Sequence, residues 1–139
     1  MMKISLRNVK KDDWNFIMNL RNDLYKFFYI QKKPLTKKEH YSYMKKQSKN
    51  PDFHHWMIRY NQNDVGYVRI LNNDVGIMIK KEFQNKGIAS HVLKLVENKA
   101  KKIGLKKLIA LISVKNKSSM KIFKKNNYSL KMYWLEKEI

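Results

Sequence analysis

Cysteine is absent from the 139 residues, so this chain can form no disulfide, thiolate nucleophile or cysteine-held metal site. Glycine appears four times and proline twice. Arginine is nearly as scarce, with four copies against 27 lysines. That imbalance bears on the net charge of +20, which at first sight suits a nucleic-acid binder. Specific nucleic-acid readers lean on arginine, whose planar fork pairs with guanine edges and phosphates. The lysines are also scattered along the chain rather than gathered in one tail, and with abundant Asn and Ile they match the residue usage of an AT-rich genome. They are read as a solvated basic surface that would still attract a polyanionic small ligand. No apolar run approaches the roughly 20 residues needed to span a bilayer. The stretch from Met1 to Lys11 lacks the apolar segment of a signal peptide. The expectation is a cytoplasmic protein without a membrane or nucleic-acid partner, either monomer or homodimer, and no metal-binding set is apparent.

What is present suffices for a core: 43% apolar residues, including 17 aromatics. No linker, repeat or low-complexity block divides the chain, so residues 1–139 are expected to form a single domain. Ile4 to Val9 alternates like a strand, and Asp12 or Asp13 can cap a helix bearing Trp14, Ile17, Met18 and Tyr25. Thr36, with Glu39 three residues on, forms a capping box for a second helix. Three strand-like runs follow, His55 to Tyr60, Val65 to Leu71 and Val75 to Ile79, separated by turn-prone Asn and Asp. A long amphipathic helix is expected from about Gly87 to Ile103, closed by Gly104. Leu108 to Val114 reads as a buried strand, Asn116 to Lys125 as a helix, and Leu130 to Leu135 as a last strand. The order is roughly βαα-βββ-α-β-α-β, a mixed α/β sheet with helices packed on it.

The chemistry concentrates between Val75 and Ser90, read as strand, short loop and helix. A helix N-terminus leaves backbone N–H groups unpaired and carries the positive end of the helix dipole, so it attracts phosphate. Gly87 and Ala89 let an anion approach closely, and Lys86 adds a positive charge.

The pattern Gln84-x-x-Gly87-x-Ala89, after an apolar strand and opening an amphipathic helix, resembles the acetyl-CoA signature of the GNAT N-acetyltransferase superfamily. Ile77-Met78-Ile79 corresponds to that family's fourth strand, and Glu82-Phe83-Gln84 to its approach to the loop. Asn116, Ser119 and Phe123 correspond to its downstream Asn-x-x-Ala-x-x-Leu-Tyr stretch. The resemblance implies a mostly antiparallel central sheet of six to seven strands flanked by about four helices. It implies acetyl-CoA as cofactor, with backbone groups of Ile77, Met78 and Ile79 along the pantetheine arm. An N–H near Met78 would face the thioester oxygen. The loop Gln84, Asn85, Lys86, Gly87, Ile88, Ala89 and Ser90 would hold the pyrophosphate, and Asn116 would lie near the thiol, with Ser119 and Phe123 beside it.

Two positions depart from the family pattern. Phe123 replaces a frequent Tyr acid, and Leu111 replaces the Glu base of enzymes that acetylate protein N-termini. The catalytic residues therefore stay unassigned, with His54, His55, His40, Asp74 and Tyr67 as candidate bases. The Arg21-Asn22-Asp23 helix end and the Glu39-His40 pair resemble the subgroup that acetylates 4-amino sugars on nucleotide carriers, as in pseudaminic-acid synthesis. Arg21, His40, Trp56, Tyr67 and Arg69 are then the expected acceptor-binding residues, by charge pairing and ring stacking. The alternatives are a protein or peptide N-acetyltransferase of the ribosomal-protein type and a module that binds CoA or nucleic acid without catalysis.

Overall fold

The computed structural model describes residues 3–139, so Met1 and Met2 of the stretch read above as free of a leader lie outside it. Strand β1 (Ile4–Asn8) leads into a 3-10 turn at Lys11–Asp13 and helix α1 (Trp14–Leu24). Asp13 does not cap α1 with its side chain. Its carboxylate instead accepts the Lys10 N–H over 2.7 Å and clamps Arg7, which also binds Asp64. This pins the start of α1 to the sheet. Helix α2 (Lys37–Gln47) opens with the expected capping box: Thr36 accepts from the Glu39 N–H while Glu39 accepts from the Thr36 N–H.

Strands β2 (Phe53–Tyr60), β3 (Asn63–Leu71) and β4 (Asp74–Ile79) form an antiparallel meander, and the sheet order is β1-β2-β3-β4. Both hairpin turns place an asparagine at positive φ, Asn61 at 57° and Asn72 at 58°. Asparagine tolerates this left-handed conformation, which matches the twist of paired strands. Helix α3 (Ile88–Lys102) and helix α4 (Lys117–Lys125) follow.

The two faces of the sheet pack different helices. One presents Met57, Tyr67 and Met78 to Ile17, Leu20 and Leu24 of α1 and Met44 of α2. The other presents Trp56, Ile58, Val68, Ile70, Val75 and Ile79 to Ile88, Val92, Leu93 and Val96 of α3 and Phe123 of α4. Full burial of such a side chain contributes about 1.5–3 kcal/mol. Four of them along α3 hold that helix, and hence its N-terminus, in a fixed relation to β4.

The sheet has four strands, not six to seven. Ile109 makes one parallel bridge to β4, donating to the Asn73 carbonyl and accepting from the Val75 N–H, and no strand continues from it. Leu111 and Val114 are 75% and 94% exposed, so Leu108 to Val114 is not the buried strand expected. Leu130 to Leu135 is likewise irregular and exposed. Its apolar content suits a strand, but strand formation depends on a partner edge. The segment that would offer one has already turned away from β4.

Close packing between β3 and β4 yields a test. A Cβ at Gly66 would lie 2.4 Å from the Met78 carbonyl oxygen, a backbone atom that cannot swing aside. Gly66→Ala is expected to destabilise the fold by about 3 kcal/mol, read as a lower midpoint in thermal or urea unfolding. An unchanged midpoint would contradict the packing described.

Candidate functional site

Strand β4 lies at the sheet edge opposite β1. Antiparallel pairing uses alternate residues, so a strand's backbone groups face its neighbour at every second position. The Lys80 N–H donates to Val65 of β3, whereas the Val75 N–H points outward to Ile109. In the register Gly66↔Ile79 and Tyr67↔Met78, the main chain of Met78 is therefore committed to Tyr67. Ile77 and Ile79 present theirs to the open edge. Of the three residues expected along a cofactor arm, the alternation turns out two and turns Met78 in.

The edge runs into a 3-10 turn at Lys81–Phe83 and then the loop Gln84–Gly87. Asn85 and Gly87 both have positive φ, 61° and 80°. Gly87 is the N-cap of α3 and no side chain caps that helix. The first intrahelical bond runs from the His91 N–H to the Gly87 carbonyl. The amides of Ile88, Ala89 and Ser90 thus have no intrahelical acceptor, as at any helix start. A Cβ on Gly87 would meet nothing within 4 Å, so open space lies over it. Lys86 is exposed beside it. Gln84 behaves differently from its neighbours: its Nε2 donates to the Ile79 carbonyl over 2.8 Å. Ser90 accepts a hydrogen bond from Asn126 over 3.2 Å, which ties the first turn of α3 to the end of α4.

Asn116 is the N-cap of α4, its Oδ1 accepting from the Ser119 N–H over 3.2 Å. Its Nδ2 is the half that remains to donate. Phe123, expected beside the cofactor, is only 4% exposed and packs edge-on against Tyr128. It is core, because the apolar stripe of α4 points it at the sheet.

The expected acceptor residues divide between the two faces. Trp56 is buried on the α3 face as part of the core, with Lys99 over its ring, away from the other four. Arg21, His40, Tyr67 and Arg69 gather on the other face, between the sheet, α1 and α2. Cross-strand pairing sets His55, Arg69 and Gly76 in one row. The Arg69 guanidinium lies across Gly76, where a Cβ would come within 2.9 Å of it. It is tethered to the Asp74 carbonyl at 2.9 Å and to the Asp74 carboxylate at 3.3 Å. His55 Nδ1 lies 2.9 Å from the Tyr67 hydroxyl.

Arg21 stands apart. It stacks over the Tyr43 ring at 5.3 Å, and none of the ion pairs among the described residues involves it. Burial pulls its guanidinium below its usual range. Sequence reasoning missed Tyr43, although its place three residues after His40 on α2 put it on the same helix face. It named Asn22 in the Arg21-Asn22-Asp23 helix end but gave it no role. This side chain donates to the Leu35 carbonyl and accepts the Leu35 N–H over 2.7 Å, fixing the α1–α2 connection.

Both histidines on this face are held neutral. Burial, then positive Arg21 nearby, lowers the fully buried His40 ring to about 4. Burial, then His54, lowers His55 to about 4. An unfolded chain takes up these protons below about 6.5, whereas the folded one resists until about 4. Stability is therefore full above about pH 6.5 and falls as pH drops from there towards 4. The melting temperature is expected to be lower at pH 5 than at pH 7.5 by about 5 °C, with a shallower dependence in His40→Phe. A flat profile in the parent protein would contradict this.

The family described as an acetyltransferase (GNAT) domain matches residues 3–129. A Methanocaldococcus jannaschii protein, MJ1062, is 38% identical over 133 residues covering 87% of this chain. The match covers 27% of that relative, so the chain spans about a quarter of its length. The solved structure of a domain from M. jannaschii superposes with a TM-score of 0.82 at 34% identity, covering 93% of this chain and 90% of the other. Spermidine N-acetyltransferase from Vibrio cholerae, solved with CoA and spermine, gives 0.85 at 18% identity over 98% and 86% of the two chains. That identity shows a shared fold alone.

Proposed function

Since the chain belongs to the GNAT family of acetyltransferases, we propose that it transfers the acetyl group of acetyl-CoA to a primary amine on a small anionic acceptor, an amino sugar on a nucleotide carrier. The cofactor supplies an activated acyl carbon when bound. The observation that carries the reading is the open β4 edge leading directly into the uncapped start of α3.

In this reading the outward groups of Ile77 and Ile79 pair with the amides of the pantetheine arm as an added strand would. An N–H of this pair left unpaired by the arm would be the donor available to an acyl oxygen. The N–H groups of Ile88, Ala89 and Ser90 hold the diphosphate with Lys86 beside it, and the clear space over Gly87 admits it. Asn116 offers its Nδ2 near the thiol end. As the neutral amine attacks, a C–N bond would form, the C–S bond would break, and the proton shed by the amine nitrogen would pass through water to the departing thiolate, which needs no strong acid. Phe123 has no proton to give and is buried. His55 is neutral at pH 7 and hydrogen-bonded to Tyr67, so it can accept a proton only weakly.

The acceptor face favours an anion. Among the described residues Arg21 has no carboxylate partner, and Arg69 lies beside it with a single acidic one. A polyamine such as spermidine would approach a chain of net charge +20 against its field. Thiol release should be measured with nucleoside-diphosphate amino sugars, N-terminal peptides and spermidine. Preferred turnover of the nucleotide-linked amine is expected. Equal or faster turnover of spermidine would sink the acceptor assignment.

A further inference from the structure

We propose that Gln84 is a positioning residue that closes one end of the β4 edge and sets the turn from which the α3 amides point. This rests on the acetyl-CoA site argued above. The outward backbone groups of β4 form a short row, and each end of it is occupied. At the start, the Val75 N–H is taken by Ile109. At the finish, the Ile79 carbonyl is taken by the Gln84 side chain. What stays open between them is the Val75 carbonyl, both groups of Ile77 and the Ile79 N–H, spread over about 13 Å of strand. A ligand pairing with this edge therefore has a defined length and register.

The same bond fixes the loop. The Gln84 N–H donates to the Lys81 carbonyl over 3.2 Å while its carboxamide holds Ile79, so the residue is anchored at both main chain and side chain. Three residues separate it from the first helical residue, Ile88, and two of them, Asn85 and Gly87, sit in the left-handed region. Such a tight path leaves little slack between anchor and helix start. Gln84 thus links the edge that would hold an arm to the amides that would hold its diphosphate. A carboxamide suits this because it offers an N–H donor without a charge.

The discriminating variant is Gln84→Glu. It keeps the size but cannot donate when ionised, and its carboxylate repels the Ile79 oxygen. CoA affinity measured by calorimetry is expected to weaken about tenfold, the loss of one hydrogen bond of ordinary strength. The KM for the acceptor should stay unchanged. Gln84→Arg, which restores an N–H donor of longer reach, should recover most of the CoA affinity. Amide exchange at Gln84, whose N–H is bonded to the Lys81 carbonyl, and at His91, bonded to the Gly87 carbonyl, should quicken in Gln84→Glu before any ligand is added. Parent-like CoA affinity in Gln84→Glu would overturn the proposal. So would a loss of binding in step with a lowered melting temperature in both variants, since Gln84 would then only stabilise the fold. A parent protein that binds no CoA would instead overturn the site reading beneath it.

Discussion

Gly87→Glu is expected to abolish measurable CoA binding, a loss of at least a hundredfold, in a protein that still folds. Three effects combine. The left-handed backbone at φ 80° costs a side-chain-bearing residue about 1–2 kcal/mol, which a whole domain tolerates. The new Cβ meets no atom within 4 Å, so nothing in the core is displaced. The carboxylate then occupies the space in front of the Ile88, Ala89 and Ser90 amides. There it satisfies the positive end of α3 itself and repels the diphosphate. A competitor built into the chain acts at very high effective concentration, so the loss exceeds that of a single hydrogen bond. Gly87→Asn separates charge from conformation, because asparagine accepts positive φ and stays neutral. Binding in Gly87→Asn should fall far less. Calorimetry with CoA on both variants, with circular dichroism to confirm folding, reads the outcome directly. Full affinity in a folded Gly87→Glu protein would place the diphosphate elsewhere.

The local signals that were legible in the chain share a property: each is settled by neighbours in sequence. Thr36 and Glu39 satisfy one another's backbone, Asn61 and Asn72 turn the hairpins, and Gly87 and Gly104 bracket α3 at positive φ. The elements from β1 to α3 and the loop before α3 therefore followed from residue types. The strand count did not. Leu108 to Val114 and Leu130 to Leu135 have strand-like composition, but pairing depends on where β4 leaves its edge, and that is set by the whole sheet. Trp56 and Phe123 went to the core for a related reason. An aromatic suits a core and a binding face equally, and only strand register and helix rotation decide which face it takes. Arg21 was named by residue type, but the ring beneath it and its lack of a counter-ion among the described residues belong to tertiary structure.

Arg21→Met is expected to raise the KM for the anionic acceptor about a hundredfold while leaving the fold as stable as before or more so. A cation drawn out of water without a carboxylate partner is a burden on the folded state. Burial already depresses the Arg21 guanidinium, and the Tyr43 ring at 5.3 Å compensates only partly. Methionine retains an apolar stem over the Tyr43 ring and removes the charge. A structural residue would lose stability when truncated. One kept for ligand charge loses function and gains stability, and this opposition of sign is the signature sought. The hundredfold figure corresponds to about 2.7 kcal/mol, within the 2–5 kcal/mol for truncating one partner of a desolvated charge pair. Ionic strength supplies a second reading. Turnover of an anionic acceptor at limiting concentration should fall as salt screens the positive field, while any turnover of spermidine should rise. A lower melting temperature in Arg21→Met with an unchanged acceptor KM would make Arg21 a packing residue, and the acceptor's charge would then have to be held elsewhere on this face.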